Sequence, residues 1–515
     1  MAATKLMTSI VIDTRRADAA ELERSLDYTQ LPRRVLRSVS QDLGNEAEGV
    51  VMQRLDLGPS AIPGLSAPSD GLLLSELISA LSHALDITEG QPKGHCVRCC
   101  WIGMHIGREI GLDEREQWEL YYTLLLKDLG CSSNAARICE LYLTDDLRFK
   151  HDFKTVGDRL PSVLHFVFSH TGLGTGMSER FGAIVNIMRN GSQIAQELTL
   201  TRCQRGADIA RQLRFPDQVA AGIHALDEHW NGKGKPDGLA ADAIPIYARI
   251  ALLSQVIDVF RTSDGPDAAM REARARAGQW FDPALVNAFE RIARDADFWA
   301  TLDSPLIDRK VLALEPGSFR LPLDDDYLDD IAAAFGQVVD SKSPFTSGHS
   351  ERVAHFTDKI AAALGLSAPR RRWLKRGALL HDVGKLGVSN AVLDKPGKLD
   401  AAEWEAVKRH TEYTEEILSR IGAFKDLALV AAAHHEKLDG SGYPRGVAGD
   451  AIALETRIIT TADIFDAISA DRPYRKAVPT PQTLEIMAET VGTALDPLCF
   501  EALKDCVATI ADKKS

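Results

Sequence analysis

Seven residues between positions 349 and 463 have side chains of types that can bind metal ions, and together they suggest a two-metal hydrolytic site. They are His349, His381, Asp382, His410, His434, His435 and Asp463. Neutral imidazoles bind iron, manganese, zinc or nickel, and a carboxylate placed between two ions can bridge them. Seven such ligands can hold two ions and still leave each ion a position for water or substrate.

The segments around these residues favour a shared site over unrelated structural roles. His381 and Asp382 follow the apolar run GALL, His434 and His435 follow DLALVAAA, and Asp463 lies within RIITTADIFDAI. Such runs are typical of buried helices, and a buried imidazole or carboxylate without a partner is costly. A single histidine is more often structural, but three apolar helices interrupted in the same way indicate metal binding.

The motifs that carry these residues resemble a known family. HDVGK (381–385), HHEKLDGSGYP (434–444), TADIFDAISADRPYR (461–475) and GHSERVA (348–354) resemble the HD-GYP subgroup of the HD-domain phosphohydrolases. The resemblance implies an all-helical domain that hydrolyses bacterial cyclic dinucleotides, chiefly cyclic di-GMP, to the linear dinucleotide or on to GMP. It also implies that all seven residues are metal ligands, with Asp382 as the bridge.

Catalytic and substrate-binding roles are expected for a second group of residues. Lys385 follows Asp382 by three residues, so both should lie on one side of a helix, where Lys385 can stabilise phosphate charge as it develops. We therefore expect Asp382 and Lys385 to be the catalytic pair. The resemblance makes Arg472 and Arg475 phosphate contacts, although arginines at such positions can also be ordinary surface charges.

The loop from Gly440 to Pro444 has alternating glycines, which allow close backbone approach. By resemblance this loop borders the active site, so Gly442 and Tyr443 are expected to contact substrate. The resemblance also suggests that the loop contacts diguanylate cyclase domains, whereas composition alone predicts only a tight turn.

The number of metals follows from one departure from the family. Members with a third metal have Glu four residues before the first histidine, and here that residue is Phe345. A phenyl ring cannot bind a metal, so we expect two divalent ions. Iron and manganese are the first expectation, with nickel and zinc as alternatives.

The region before residue 300 repeats the same pattern. His95 to Lys127 and His349 to His381 share one spacing, and NGKGKPDGLAADAIPIYARI (231–250) parallels DGSGYPRGVAGDAIALETRI. The residues at the seven ligand positions are His95, Lys127, Asp128, Arg202, Leu226, Asp227 and Gln255. Lys127 and Arg202 could neutralise Asp128 and Asp227, so we expect no two-metal site here. Whether this remnant binds an anionic nucleotide or only supports assembly stays open.

The sequence therefore predicts an all-α chain with tandem HD-type domains. We place an N-terminal segment and linker at 1–70, a degenerate HD-GYP-like domain at 71–300 with an insert at about 132–190, a linker at 301–325 and the catalytic domain at 326–515. A homodimer is compatible with this organisation.

Composition excludes several classes of protein. The 515 residues carry a net charge of −13, which argues against a nucleic-acid polymer as ligand. The chain has no apolar run long enough for a membrane span and no signal-peptide core, which predicts a cytoplasmic protein. The eight cysteines, including Cys96, Cys99 and Cys100, are then expected to be reduced structural thiols.

The expected function is a metal-dependent phosphodiesterase for cyclic di-GMP. One alternative is another cyclic dinucleotide such as 3′,3′-cGAMP, because metals contact the phosphate and not the base. A second alternative is a non-catalytic signalling protein that responds to cyclic dinucleotides.

Overall fold

The computed structural model describes residues 72–154, 160–173, 175–319, 323–470 and 476–512. These residues form helices joined by loops, and none of them belongs to a β-strand. The predicted all-α class is therefore confirmed. Among the described residues, no helix has both the length and the apolar character that crossing a bilayer requires.

We call residues 71–300 the N-terminal half and residues 326–515 the C-terminal half. The helices up to residue 312 are α1 (Leu74–Thr88), α2 (His95–Glu109), α3 (Glu114–Leu126), α4 (Ala135–Tyr142), α5 (Asp146–Phe153), α6 (Leu160–His170), α7 (Met177–Gln212), α8 (Asp217–His224), α9 (Ile246–Asp264), α10 (Pro266–Ala275), α11 (Pro283–Ile292), α12 (Ala296–Leu302) and α13 (Ile307–Leu312). The helices after residue 320 are α14 (Asp325–Asp340), α15 (His349–Ala363), α16 (Ala368–Leu380), α17 (Asn390–Leu393), α18 (Ala401–Ser419), α19 (Lys425–Ala432), α20 (Leu454–Ser469), α21 (Thr480–Ala488) and α22 (Pro497–Asp512).

The two halves repeat the same local arrangement at sites that need glycine. Gly94 precedes α2 with φ 83°, and Gly348 precedes α15 with φ 68°, a left-handed conformation that favours glycine. A Cβ atom on Gly130 would lie 1.9 Å from a backbone oxygen of the helix opposite, and one on Gly384 would meet the same obstacle at 1.9 Å. These correspondences support the predicted duplication, while the exact domain limits stay predictions.

The two halves are joined by a continuous apolar core. Helix α1 of the N-terminal half packs against the turn Val383–Gly387 and against α18 of the C-terminal half. In the reverse direction, α14 packs against the turn Cys131–Asn134 and against α7. Helix α1 therefore contacts the turn that follows Asp382, and α14 contacts the turn that follows Asp128.

The predicted insert at about 132–190 forms α4, α5, α6 and the first part of α7. Helix α7 is 36 residues long and carries Arg202, the counterpart of His410. All eight cysteines are free thiols, as expected for reduced structural residues, and Cys96, Cys99 and Cys100 are buried.

Candidate metal centre

Five helices of the C-terminal half bring the seven predicted ligands together. His349 is the first residue of α15, and His381 and Asp382 directly follow α16. His410 lies within α18, His434 and His435 follow α19 after one residue, and Asp463 lies within α20. The sequence expectation that polar residues interrupt buried apolar helices is confirmed for His381, Asp382 and His434, which are almost completely buried, whereas His435 is half-buried.

The carboxylate of Asp382 lies between two groups of imidazoles. Its Oδ2 atom is 3.6 Å from Nε2 of His349 and 3.4 Å from Nε2 of His381. Its Oδ1 atom is 3.5 Å from Nε2 of His410 and 3.6 Å from Nε2 of His434. A carboxylate that directs one oxygen to each group has the geometry of a bridge between two ions.

Asp463 and His435 complete the two groups. Oδ1 of Asp463 is 3.3 Å from Nε2 of His349 and 3.8 Å from Nε2 of His381. Ligand atoms of His410, His434 and His435 all lie within 4.8 Å of one another. We call His349, His381 and Asp463 the His349 cluster, and His410, His434 and His435 the His410 cluster.

Backbone contacts determine which nitrogen of three imidazoles is available. The Nδ1 atoms of His381, His410 and His434 donate to carbonyl oxygens three residues earlier in the chain, at 2.7, 2.5 and 2.7 Å. Because a carbonyl oxygen can only accept, Nδ1 carries the proton and Nε2 keeps its lone pair. All three lone pairs then face the space around Asp382.

His349 is oriented by a carboxylate that sequence reasoning missed. Its Nδ1 donates to Oδ2 of Asp466 at 2.8 Å, and Nε of Arg352 donates to the other oxygen of Asp466 at 2.5 Å. Carboxylates of this kind fix the ring orientation of metal-binding histidines. Two signals could have revealed it, because Asp466 follows Asp463 by about one helical turn and Asp258 occupies the corresponding position in the N-terminal half.

The charge states of His410, His434 and Asp382 suit metal binding. Burial lowers the pKa of His434 to about 3 and that of His410 to about 4, so both rings are neutral near pH 7. Burial alone would raise the pKa of Asp382, but the positive charge around it, including the ammonium of Lys385, holds that pKa well below its ordinary value. Neutral imidazoles and ionised carboxylates are the forms that bind metals.

The charge state of His349 differs from that of these two rings. Burial alone would lower the pKa of His349, but its carboxylate partners Asp382, Asp463 and Asp466 raise that pKa well above its ordinary value. This ring must therefore lose a proton when it binds a metal.

Two buried atoms at the centre of the cluster are consistent with ions held there. Nε2 of His381 and Oδ1 of Asp382 are buried and have no hydrogen-bond partner. Such atoms are costly in a protein interior unless something compensates them. One divalent cation at each cluster would satisfy these two atoms, and the mixture of nitrogen and oxygen donors suits iron, manganese, nickel or zinc.

The structure describes three of the five predicted substrate contacts, Lys385, Gly442 and Tyr443. Lys385 forms an ion pair with Asp382, as their spacing suggested. The Tyr443 ring lies 4.8 Å from the His435 ring, and a Cβ atom on Gly442 would lie 2.5 Å from the backbone oxygen of His435. Gly442 therefore shapes the loop by close backbone approach. Arg472 and Arg475 lie outside the described residues.

The N-terminal half has ion pairs where the C-terminal half has its predicted ligands. Lys127 forms a buried ion pair with Asp128, and Arg202 forms a half-buried ion pair with Asp227. Nζ of Lys127 also donates to Gln255 at 3.2 Å. The prediction that Lys127 and Arg202 neutralise the two remaining carboxylates is confirmed.

Two further lysines near these positions of the N-terminal half were not predicted from the sequence. Nζ of Lys154 lies 2.9 Å from Glu89, and Nζ of Lys150 donates to the backbone oxygen of Cys131 at 2.9 Å. Both lysines come from α5 and the residue after it, within the insert. Because the insert has no counterpart in the other half, the repeat offered no signal for them.

Comparisons with known proteins extend these observations. A family model described as "HD domain" matches residues 180–285 and 334–498. The 3'3'-cGAMP-specific phosphodiesterase 3 of Vibrio cholerae serotype O1 is 57% identical over 449 residues, which cover 87% of this chain and 98% of that protein. The cyclic di-GMP phosphodiesterase response regulator RpfG of Xanthomonas campestris is 41% identical over 165 residues, covering 31% of this chain and 42% of that protein.

A solved structure is also similar. The crystal structure of a cyclic GMP-AMP specific phosphodiesterase of V. cholerae matches with a TM-score of 0.59 at 51% sequence identity, covering 85% of this chain and 98% of that chain. The similarity therefore extends across both halves.

Proposed function

Because this chain belongs to the HD-domain family and is a cyclic-dinucleotide phosphodiesterase, we propose that its substrate is 3′,3′-cGAMP. The observation that carries this proposal is the 57% identity to a 3'3'-cGAMP-specific phosphodiesterase over 87% of the chain. The similarity to the cyclic di-GMP phosphodiesterase RpfG covers only 31% of the chain. The sequence analysis put cyclic di-GMP first, and these relatives support its alternative better.

The residues that would hold the metals are the two clusters around Asp382. The His349 cluster would hold one ion and the His410 cluster the other, with one Asp382 oxygen directed at each. Two divalent ions held in this way supply positive charge for the phosphoryl oxygens and a more acidic water as nucleophile. Asp382 would fix the position of one ion relative to the other, because it is buried and its Oδ2 atom is paired with Lys385.

Lys385 has the placement of a residue that acts on the phosphate. Its side chain is 23% exposed, whereas that of its partner Asp382 is 2% exposed, so the ammonium lies between the buried centre and solvent. A phosphodiester oxygen approaching Asp382 would meet this ammonium. Fixed positive charge at that position stabilises the developing negative charge of the transition state.

Base selection must depend on residues other than the metal ligands. Cyclic di-GMP and 3′,3′-cGAMP share the phosphodiester ring, so the two clusters and Lys385 would contact both substrates in the same way. Tyr443 borders the His410 cluster and is a candidate contact beyond the phosphate. The predicted phosphate contacts Arg472 and Arg475, the diguanylate cyclase partner and the homodimer stay predictions.

A direct comparison of substrates tests this proposal. Turnover of 3′,3′-cGAMP and cyclic di-GMP is measured side by side with iron or manganese added, and the Asp382→Asn variant serves as the control. We expect a kcat/KM for 3′,3′-cGAMP at least about tenfold above that for cyclic di-GMP, which corresponds to about 1.4 kcal/mol of transition-state discrimination. Equal or better turnover of cyclic di-GMP would reject the substrate assignment. If the metal-loaded protein hydrolyses neither dinucleotide, the non-catalytic signalling alternative is favoured.

A further inference from the structure

A buried carboxylate of the N-terminal half, Asp146, contacts two segments of the C-terminal half that neighbour predicted site residues in the sequence. Asp146 is the first residue of α5 and has no exposed surface. Its Oδ2 atom accepts a hydrogen bond from Nζ of Lys342 at 3.2 Å. Its Oδ1 atom accepts from the hydroxyl of Ser389 at 3.1 Å and from the backbone N–H of Asn390 at 2.8 Å.

These contacts reach two loops that adjoin predicted site residues along the chain. Lys342 begins the loop that leads to His349, and Ser389 lies four residues after Lys385. The Asn390 side chain donates to the backbone oxygen of Lys342 at 2.7 Å, so the two loops are also tied to each other. Asp146 therefore contacts, at a single point, the loop before His349 and the segment after Lys385.

The charges at this point make the contact rigid. Lys342 is 1% exposed, so its ammonium depends on Asp146 for compensation. Burial alone would raise the pKa of Asp146, but Lys342 and Lys150 hold it below its ordinary value, so the carboxylate is ionised. Removing one member of a buried pair is strongly unfavourable, which restricts both loops to the observed arrangement.

We propose that Asp146 is a positioning residue for the hydrolytic site of the C-terminal half. Through this carboxylate, the half that has lost most of the predicted ligands holds the loops that lead to His349 and away from Lys385. Displacements of about 1 Å at reacting groups can slow an enzyme by about 10²-fold. The catalytic part of this proposal rests on the proposed phosphodiesterase function, whereas the holding of the loops does not.

Hydrogen–deuterium exchange tests the holding of the loops without any substrate. The Asp146→Asn variant of the full chain is compared with Asp145→Asn, the same chemical change one residue earlier. Asp145 accepts hydrogen bonds from Leu147 and Arg148 within its own helix, and Asn serves equally well at such a helix start. We expect at least about tenfold faster exchange in peptides covering 342–349 and 385–394 for Asp146→Asn only. Unchanged exchange in these peptides would overturn the proposal.

Kinetics test the consequence for catalysis. At saturating metal, Asp146→Asn should lower kcat at least about tenfold, because every predicted ligand is kept while the placement of Lys385 and of the loop before His349 suffers. Combined with Lys385→Ala, it should slow the enzyme by less than the product of the two single effects, whereas a general loss of stability would multiply them. A folded Asp146→Asn protein with wild-type kcat and KM would also overturn the proposal.

A second variant covers the case in which the buried Lys342 charge prevents folding of Asp146→Asn. Asp146→Asn with Lys342→Met removes both charges, so no unpaired ion stays buried. We expect this protein to fold and still show fast loop exchange and low kcat, and wild-type values for both would contradict the positioning role. If the wild-type chain turns over no cyclic dinucleotide, the proposed function fails while the exchange comparison still decides whether Asp146 holds the loops.

Discussion

Lys127 forms a buried ion pair with Asp128 at the two positions that correspond to His381 and Asp382. In the N-terminal half a side-chain ammonium thus neutralises the carboxylate that the C-terminal half places between two imidazole clusters. Arg202 and Asp227 repeat this substitution at the positions of His410 and His435. The N-terminal half therefore compensates these carboxylates with its own side chains and has no need of metal charge at these positions.

Removing the Lys127 charge should destabilise the chain. Lys127→Met leaves Asp128 ionised, buried and without its main partner, so we expect a loss of about 3–5 kcal/mol in the free energy of unfolding of the N-terminal half. The double variant Lys127→Met with Asp128→Leu should recover most of this loss, since no unpaired charge remains. Denaturant unfolding measures both, and a Lys127→Met protein as stable as wild type would contradict the importance of the pair.

Restoring histidines in the N-terminal half should not create a second metal site. In Lys127→His with Arg202→His, Leu226 and Gln255 still supply no suitable ligand, so the chain should continue to bind about two ions. Elemental analysis of the purified protein measures this content. Two additional ions in the variant would show that the remnant is closer to a working site than its ion pairs indicate.

Asp382→Asn should remove both activity and metal. An amide oxygen carries no charge to share between two ions, so we expect hydrolysis to fall at least about 10³-fold and bound metal to fall well below two per chain. Turnover and elemental analysis on the same preparation check this, with circular dichroism to show that the variant is folded. Full activity in a folded Asp382→Asn protein would reject the bridging assignment.

Lys385→Ala should separate catalysis from metal binding. Because Lys385 pairs with Asp382 but belongs to neither cluster, both ions should stay bound while kcat falls about 10²-fold to 10³-fold. Lys395→Ala is the matched control, since Lys395 pairs with Glu403 at 2.6 Å and should leave kcat unchanged. Loss of metal in Lys385→Ala would mean that the lysine organises the ligands and does not act on substrate charge.

Asp466→Asn should weaken metal binding without abolishing it. The His349 ring would lose its charged partner at Nδ1, and such changes weaken metal affinity about 10-fold to 100-fold. Competition with a chelator measures the change. Asp258→Asn alters the corresponding carboxylate beside His95 and serves as the control, because it should leave the affinity unchanged.

The sequence by itself determined which residues are the candidate ligands and which positions of the N-terminal half correspond to them, because these depend on residue type and spacing. Histidine and aspartate on apolar helices predicted a shared buried site, and a fixed offset located the corresponding positions in the N-terminal half. The pairing of Lys127 with Asp128 could be predicted because the two residues are adjacent in the chain. Membership of the family, carried by the HDVGK and HHEKLDGSGYP motifs, was likewise visible in the sequence.

Only the tertiary structure decided which oxygen of Asp382 faces which cluster and which side chains hold the loops around the site. Asp146 and Lys342 are 196 residues apart, and no motif or period connects them. Lys150 and Lys154 likewise come from an insert without a counterpart in the repeat. A buried charge needs a partner within hydrogen-bond distance. Which side chain lies there depends on how the helices of the two halves pack in space.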